Sequence, residues 1–286
     1  MRTIEDQAFA AVAMGFRKIE MGLSEEPVTM NGFADTQRET GVRLMSVVAG
    51  CLKPRGQDMA CMHLGSPVHD EREQALISVR RHIHLARRMG CPVVVLRGAS
   101  IGDHKLHAEA AALDAKRARN GTSEELQEEA AEFVNRAQKR GQRQVEHLCR
   151  SLHTLSAEFP ETRLALAPGE HLDDLLGFEP MGWVLDDLAK QGLGYWHDVG
   201  HIHTLERAGL PPQGRWLDRF APRMLGIHLR DAADGEAEMP PGTGEVDFRL
   251  IAGYVPADAS RVLDVNPRHG RAEILASVQF LQSHGI

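Results

Sequence analysis

Short apolar runs alternate with longer amphipathic segments along the whole chain. Seven of these runs are rich in apolar or β-branched residues and have the length of a single strand. They span residues 15–23, 42–50, 91–100, 162–169, 193–201, 224–231 and 260–267. Several are continuously apolar, as in CPVVVLRGAS, which is typical of parallel strands that are covered on both faces.

The segments between the runs carry helix signals, and a glycine or a proline stops each of the clearest ones. Helices are predicted over residues 3–14, 71–89 and 122–159. Because strands and helices alternate, the pattern indicates a parallel sheet with right-handed crossovers. Seven candidate strands favour a closed or nearly closed barrel over an open doubly wound sheet.

Residues 101–147 exceed what a single crossover requires. They contain the charged helical stretch HKLHAEAAALDAKRARNG, which ends at Asn120 and Gly121. Since this insertion follows the carboxyl end of a strand, it is either a lid over a site or a solvated accessory helix. No linker, repeat or low-complexity tract divides the chain, so we expect one domain over residues 1–286.

Composition and charge narrow the class of protein and its partners. Hydrophobic residues make up 42% of the chain and charged residues 26%, which is ordinary for a soluble globular protein. The net charge of −7 argues against a nucleic acid as the main partner. No apolar run approaches the roughly 18 residues of a membrane span, so no membrane partner is expected. The four cysteines lack CxxC spacing and are expected to be reduced thiols in a cytoplasmic protein.

Ionisable side chains finish nearly every predicted strand. They are Glu20, His63, Arg97, Glu170, Asp198, His201, His228, Arg230 and Asp264. Parallel barrels gather the carboxyl ends of their strands on one face, where their sites lie. Because burying such groups without partners is costly, their repetition predicts a polar site. Asp and His donors without clustered cysteines suit Mn, Mg, Co or Zn.

Structural roles compete with functional ones at several of these positions. Asp198 could cap the helix that follows it, and His201 could bond a backbone carbonyl in the same turn. His197 faces away from Asp198 on its strand and His203 lies beyond the strand, so both are interpreted as structural. Arg97 could bind a substrate phosphate or carboxylate, but pairing with a carboxylate at the barrel rim is slightly favoured.

His228 alternates onto the same strand face as Arg230. A satisfied core histidine is one interpretation, whereas its position beside an arginine at a strand end favours a site. Glu20 and His63 fit a structural and a functional role about equally well.

Four ordered motifs carry a resemblance to a known family. HDVGH ends one strand, GIHLRD lies on the next, and MPPGTGEVDF and VLDVNP follow before the terminal helix. In this order they resemble the xylose isomerase-like TIM barrels, a superfamily of sugar isomerases, sugar epimerases, inosose dehydratases and endonuclease IV relatives. The resemblance extends over essentially the whole chain and implies an α/β fold of (β/α)8 type with the insertion after the fourth family strand. The family's first strand precedes the first helix, yet Met1 lies almost at that helix, so we expect a barrel with this strand lacking or truncated.

The resemblance also implies a site for one divalent metal ion. Family members hold it with a Glu from the fifth strand, a DxxH turn, a His from the seventh strand and a Glu from the eighth. The turn matches residues 198–201 and the seventh-strand His is His228, but Ala167 and Asp264 stand where the family has its two Glu residues. Glu170 could curl back over the strand end to replace the carboxylate missing at Ala167. The predicted metal ligands are Asp198, His228, Asp264 and Glu170.

An enzyme that acts on a small sugar, keto-sugar or polyol by metal-assisted proton transfer is the function that the resemblance implies. Isomerase, epimerase, and dehydratase or lyase chemistry share these parts. The predicted catalytic groups are Glu170, Asp264 and His201. The predicted substrate-binding residues are Glu20, His63, Arg97, His201 and Arg230.

Two other functions are weighed against this one. The loss of the carboxylate at Ala167 supports a metal-free or non-catalytic relative that binds a sugar. An abasic-site endonuclease fits least, because the chain is acidic. A missing first strand would leave two strand edges unpaired, which favours either a partner chain, as in a homo-oligomer, or substitution by another segment of the chain.

Overall fold

Strands and helices alternate along the part of the chain that the computed structural model describes, residues 4–23, 30, 32–52, 63–97, 101–121, 123–233 and 235–286. The strands are β1 (Lys18–Met21), β2 (Arg43–Val48), β3 (Val93–Leu96), β4 (Arg163–Leu166), β5 (Gly194–Asp198), β6 (Met224–Leu229), β7 (Asp231–Ala233), β8 (Glu236–Met239) and β9 (Ser260–Leu263). The helices are α1 (Ile4–Ala13), α2 (Phe33–Thr40), α3 (His69–Arg88), α4 (His104–Asn120), α5 (Glu124–Glu158), α6 (Phe178–Asp187), α7 (Val199–Arg207), α8 (Gln213–Phe220), α9 (Phe248–Ala252) and α10 (Arg271–Ser283).

Seven strands form one parallel sheet in the order β1-β2-β3-β4-β5-β6-β9. Each of the seven apolar runs contains one of these strands, so the predicted α/β barrel is confirmed. Among the described residues, β1 and β9 are the edges of the sheet and no strand pairs with their outer sides. The nearly closed barrel therefore has an open seam between β1 and β9, where the resemblance places a first strand.

The strands are apolar because the sheet is covered on both of its faces. In β3, Val93 and Val95 point into the barrel, whereas Val94 and Leu96 belong to the core between sheet and helices. The barrel interior is a small buried cluster of Val48, Val93, Val95, Ala165, Ala167 and Trp196. Every residue of β3 is buried, so the absence of polar alternation in CPVVVL follows from the packing on both sides.

The three predicted helices are present as α1, α3 and α5, with ends displaced by one or two residues. At the start of α5, the Ser123 side chain accepts a hydrogen bond from the Leu126 N–H at 3.3 Å, while Thr122 lies outside the described residues. The insertion over residues 101–147 consists of α4 and most of α5. No described helix combines the length and the apolar character needed to cross a bilayer.

The short antiparallel hairpin of β7 and β8 was not anticipated from the sequence. It follows β6 directly, and Asp231 at its start fixes the loop beyond it. The Asp231 carboxylate accepts hydrogen bonds from the backbone N–H groups of Gly242, Gly244 and Val246 at 2.9 to 3.0 Å. This loop is the MPPGTGEVDF motif, so one buried carboxylate organises most of that segment.

Among the described cysteines, Cys91 and Cys149 are free, as expected for reduced thiols. Burial raises the pKa of Cys91 to about 11 and that of Cys149 to about 12, so both remain protonated thiols at neutral pH. Cys61 lies outside the described residues.

Candidate active site

Asp198, the last residue of β5, lies at the centre of a buried ionic cluster. Arg230, directly after β6, contacts both of its oxygens, with Nε 3.0 Å from Oδ1 and Nη2 2.5 Å from Oδ2. Burial alone would raise the pKa of Asp198, but the charge of Arg230, aided by His201 and His228, holds this pKa well below its usual range. Asp198 is therefore an ionised carboxylate locked against a guanidinium.

Asp198 also caps the helix that follows it, as its structural alternative predicted. Its Oδ1 accepts a hydrogen bond from the His201 N–H at 3.2 Å at the start of α7. The His201 ring lies between two carboxylates, with Nδ1 3.2 Å from Asp198 Oδ2 and Nε2 3.8 Å from Glu170 Oε2. The Nδ1 atom is buried but not aligned for a hydrogen bond. The Asp198 carboxylate thus caps α7 and also belongs to the cluster. The His201 ring lies between this carboxylate and that of Glu170.

His228 on β6 joins the cluster to the other side of the barrel. Its Nε2 lies 2.8 Å from Glu20 Oε1, and its Nδ1 lies 3.4 Å from Asp198 Oδ2. Ser46 on β2 donates a hydrogen bond of 2.6 Å to the other oxygen of Glu20. Burial would lower the pKa of His228, but Glu20 and then Asp198 raise it to about 9. The structure therefore brings Glu20 into the predicted site through His228.

Glu170 lies in the turn that follows β4, and its replacement of the carboxylate missing at Ala167 stays a prediction. Asp174 holds this turn, because its Oδ2 accepts hydrogen bonds from the N–H groups of Glu170 and His171 at 2.7 and 3.0 Å. The Glu170 carboxylate forms an ion pair with Arg97 and faces His201. Arg97 thus has the rim-pairing role that was slightly favoured for it.

Asp264 and Glu238 extend the cluster around Arg230. The Arg230 Nη2 atom lies 3.2 Å from Asp264 Oδ2, and Nη1 lies 3.3 Å from Glu238 Oε1. Burial would lower the pKa of Arg230, but Asp198 and Asp264 raise it overall. The Asp264 side chain is 41% exposed, so it is the point where the cluster meets solvent. Glu238 was missed from the sequence because it lies on the unpredicted strand β8.

His63 lies apart from this cluster. Its side chain is 44% exposed, and its Nδ1 atom lies 3.9 Å from Glu71 Oε2. Within the described ranges, no hydrogen bond or ion pair connects it to the other candidate residues. A substrate-binding role for His63 stays a prediction that rests on the sequence alone.

His197 has the surroundings of a structural residue, whereas a structural role for His203 stays a prediction. The buried His197 ring lies between the Tyr195 hydroxyl, 2.9 Å from Nδ1, and Gln213 Oε1, 2.8 Å from Nε2. Gln213 donates its amide to a backbone carbonyl, so its oxygen accepts from His197 Nε2 and the histidine is neutral. Burial accordingly lowers the pKa of His197 to about 4. The His203 ring lies beside Glu245, with Nε2 3.9 Å from Glu245 Oε2, and lines the same groove as His201.

Two grooves of about 710 Å³ each adjoin the cluster. Glu170 and His201 line one of them, and α4 of the insertion forms a wall of it. Arg117 on α4 fastens this wall by donating to the Thr204 carbonyl of α7 at 3.2 Å. The other groove runs along the open seam and is lined by Glu20 and Asp264. Both volumes lie in the range of small-molecule sites.

The comparison with known families decides the classification of this barrel. A model described as the xylose isomerase-like TIM barrel matches residues 8–283. The chain belongs to this family. No protein of curated function matches its sequence.

Solved structures of the xylose isomerase-like type superpose on the chain along nearly its full length. One is 3-keto-D-glucoside 4-epimerase from E. coli, with a TM-score of 0.62, 13% identity and 99% coverage of both chains. Another is D-psicose 3-epimerase with D-tagatose from Clostridium cellulolyticum, with a TM-score of 0.64, 12% identity and coverage of 99% of this chain and 95% of that one. A third is the IolI protein with a bound zinc atom, with a TM-score of 0.59, 11% identity and coverage of 99% and 91%. At these identities the likeness shows the fold.

The metal ligands that the xylose isomerase-like resemblance implies are not arranged as a metal site. Ala167 lies in the apolar cluster of the barrel interior, together with Trp196. Asp198 and Asp264 both pair with Arg230, and neither nitrogen of His228 faces open space. Within the described residues, no three His, Cys, Asp or Glu side chains converge as metal ligands. The donor set present here therefore does not fit a divalent ion.

Proposed function

We propose that the protein is an isomerase- or epimerase-like enzyme that moves a proton beside a carbonyl group of a small sugar or keto-sugar. The observation that carries this proposal is the buried cluster of Asp198, His228 and Arg230, which lies at the carboxyl ends of the strands between two grooves. The family supports it, since two of the solved barrels that resemble this chain are named as sugar epimerases.

The groups assigned to proton transfer lie on two sides of the cluster. Glu170 and His201 face one groove with their polar atoms 3.8 Å apart, so a proton can pass between them and a bound ligand. Asp264 lies on the other side of Arg230 and is partly exposed. Removing a proton on one face of a carbon and returning one on the other requires groups on both sides of the substrate, so in this proposal the substrate lies across the rim at Arg230, between Glu170 and Asp264. Asp264 is the second group in this assignment.

The charge of the cluster favours an uncharged sugar over a phosphorylated one. Both arginines of the cluster already face carboxylates, because Arg97 pairs with Glu170 and Arg230 pairs with Asp198. A phosphate group that binds Arg97 or Arg230 would have to displace its carboxylate partner, whereas sugar hydroxyls can bond to these carboxylates directly. We therefore assign a neutral sugar, keto-sugar or polyol as the substrate class.

Solvent deuterium exchange tests this function on a panel of sugars instead of on one chosen substrate. The protein is incubated with free ketoses and keto-glycosides in D2O, and NMR measures exchange of the C–H bonds beside the carbonyl. We expect exchange with at least one sugar, and a loss of ~100-fold or more in Glu170→Gln, as is typical when an acid–base group is removed. Glu245→Gln is the matched control, because Glu245 lines the same groove without contacting the cluster.

A non-catalytic sugar-binding protein is the second candidate, and Ala167 favours it. Alanine at this position has neither a proton to donate nor an oxygen to coordinate. Titration calorimetry with the same panel separates the two functions: binding without exchange favours the non-catalytic protein. Neither exchange nor binding with any sugar would refute both.

A further inference from the structure

We infer that Arg230 is the fixed cation of this site and takes the place that a divalent metal ion has in the resembling family, so that the site works without a metal. The inference concerns the cluster of the proposed function and rests on that function only in treating the cluster as the reaction site. Its basis is the position of one guanidinium group among the predicted metal ligands.

The guanidinium of Arg230 lies between Asp198 and Asp264, two of the carboxylates that the resemblance assigns as metal ligands. It contacts Asp198 through Nε and Nη2, Asp264 through Nη2 at 3.2 Å and Glu238 through Nη1 at 3.3 Å. Its side chain is only 1% exposed. Asp198 ends β5, Asp264 follows β9 and Arg230 follows β6, which lies between them, so the barrel itself sets this arrangement. The cation is therefore part of the scaffold.

A metal ion coordinated by Asp198 and Asp264 would have to displace this guanidinium. Arginine stays protonated at all accessible pH values, so it cannot yield the site by losing its charge. The displaced guanidinium of Arg230 would stay buried beside a divalent cation. Its remaining partner would be Glu238, which is 46% exposed. An incompletely neutralised buried charge is strongly unfavourable, and repulsion by the metal ion adds to it. Arg230 and a divalent ion thus exclude each other.

The pairing of the carboxylates near Ala167 also disfavours a bound metal ion. Ala167 is 2% exposed and packs within the apolar interior cluster, so β4 supplies no ligand there. Glu170, the nearest replacement, is paired with Arg97. Asp198, its neighbour across the rim, is saturated by Arg230. Both of these carboxylates are therefore balanced by an arginine.

Metal uptake by the purified full-length chain tests the inference in the absence of any sugar. Wild type and Arg230→Ala are dialysed against Mn2+, Co2+ or Zn2+, and metal content and melting temperature are measured. Uptake is counted as site-bound only where Asp198→Asn in the same background abolishes it. We expect no site-bound metal in wild type, but about one ion per chain in Arg230→Ala, with a rise in melting temperature on metal addition. Arg223→Ala is the matched control, because Arg223 pairs with Asp186 on the surface, 2.9 Å away, and should gain no metal.

Site-bound metal in wild type at near-stoichiometric amounts would overturn the inference. A folded Arg230→Ala protein that takes up no metal would overturn the role of Arg230. If Arg230→Ala does not fold, Arg230→Gln replaces it, since glutamine keeps hydrogen-bond donors but removes the charge. Because no sugar enters these measurements, a failure of the deuterium exchange assay leaves their result unaffected.

Discussion

His82 on α3 couples the stability of the rim beside the site to pH. Its Nε2 atom accepts hydrogen bonds from the backbone N–H groups of Gly50 and Leu52, at 3.0 and 3.2 Å, in the turn after β2. Its Nδ1 donates to the Ser78 carbonyl at 2.7 Å. The ring is fully buried and holds this turn only as the neutral tautomer. Protonation would turn the acceptor nitrogen into a donor that faces two donors.

Burial lowers the pKa of His82 from 6.5 to about 4. Because the folded pKa lies below the unfolded one, the stabilisation is complete above pH 6.5 and is lost as the pH falls towards 4. A shift of this size corresponds to ~3 kcal/mol of unfolding free energy. Between pH 7 and pH 4 the unfolding free energy of both proteins falls. We expect the fall to be smaller in His82→Gln than in wild type by this amount.

Urea unfolding of wild type and His82→Gln at closely spaced pH values measures this difference. The comparison uses the slope of stability against pH, so a constant loss from the substitution itself cancels, as do contributions from other histidines. His84→Gln is the control, because His84 is exposed on the same helix and should keep the wild-type slope. Parallel profiles for wild type and His82→Gln would refute the reasoning.

Two further predictions concern packing and loop structure. In Gly226→Ala the new Cβ would clash with the Trp196 ring, so we expect a loss of ~1–3 kcal/mol in urea unfolding. Gly214→Ala, whose Cβ meets nothing closer than 3.9 Å, should be nearly neutral, and equal losses in both would contradict the packing argument. Asp231→Asn places an amide against backbone N–H donors, so we expect a loss of ~1–3 kcal/mol and faster hydrogen exchange in the following loop. Asp258→Asn is the control, because Asp258 is exposed. Hydrogen exchange in the loop after Asp231 that is as slow in Asp231→Asn as in this control would count against this role of Asp231.

The strands and their polar ends could be predicted because both leave a local mark in the sequence. Continuous apolar runs such as VVVL identify buried parallel strands. The alternation of side chains along a strand was enough to place Asp198 and His197 on opposite faces of β5. The turn after β4, which carries Glu170, could be suggested from the proline and glycine that precede this residue. These features depend on neighbours within a few residues.

The pairing of Asp198 with Arg230 could not be predicted, because it depends on register between distant strands. Asp198 lies opposite His228 in the pairing of β5 with β6, and this register brings Arg230 within reach of the same carboxylate. Nothing local distinguishes an arginine that turns inward from one that reaches solvent. Glu238 was missed for a similar reason, since β8 is short and pairs with a strand of three residues.

The seam between β1 and β9 changes how a ligand can approach the chemistry. In a closed barrel, entry is confined to the mouth that the loops surround. Along the described residues of this chain, the groove of the seam runs between α1 and α10 to Glu20 and Asp264. It is therefore an entrance through the side of the barrel. Under the proposed function, a sugar at the end of a longer glycan or on a bulky aglycone could present its carbonyl end to Asp264 while the rest of the molecule stays outside. Size selection would then act on one sugar ring and not on the whole ligand.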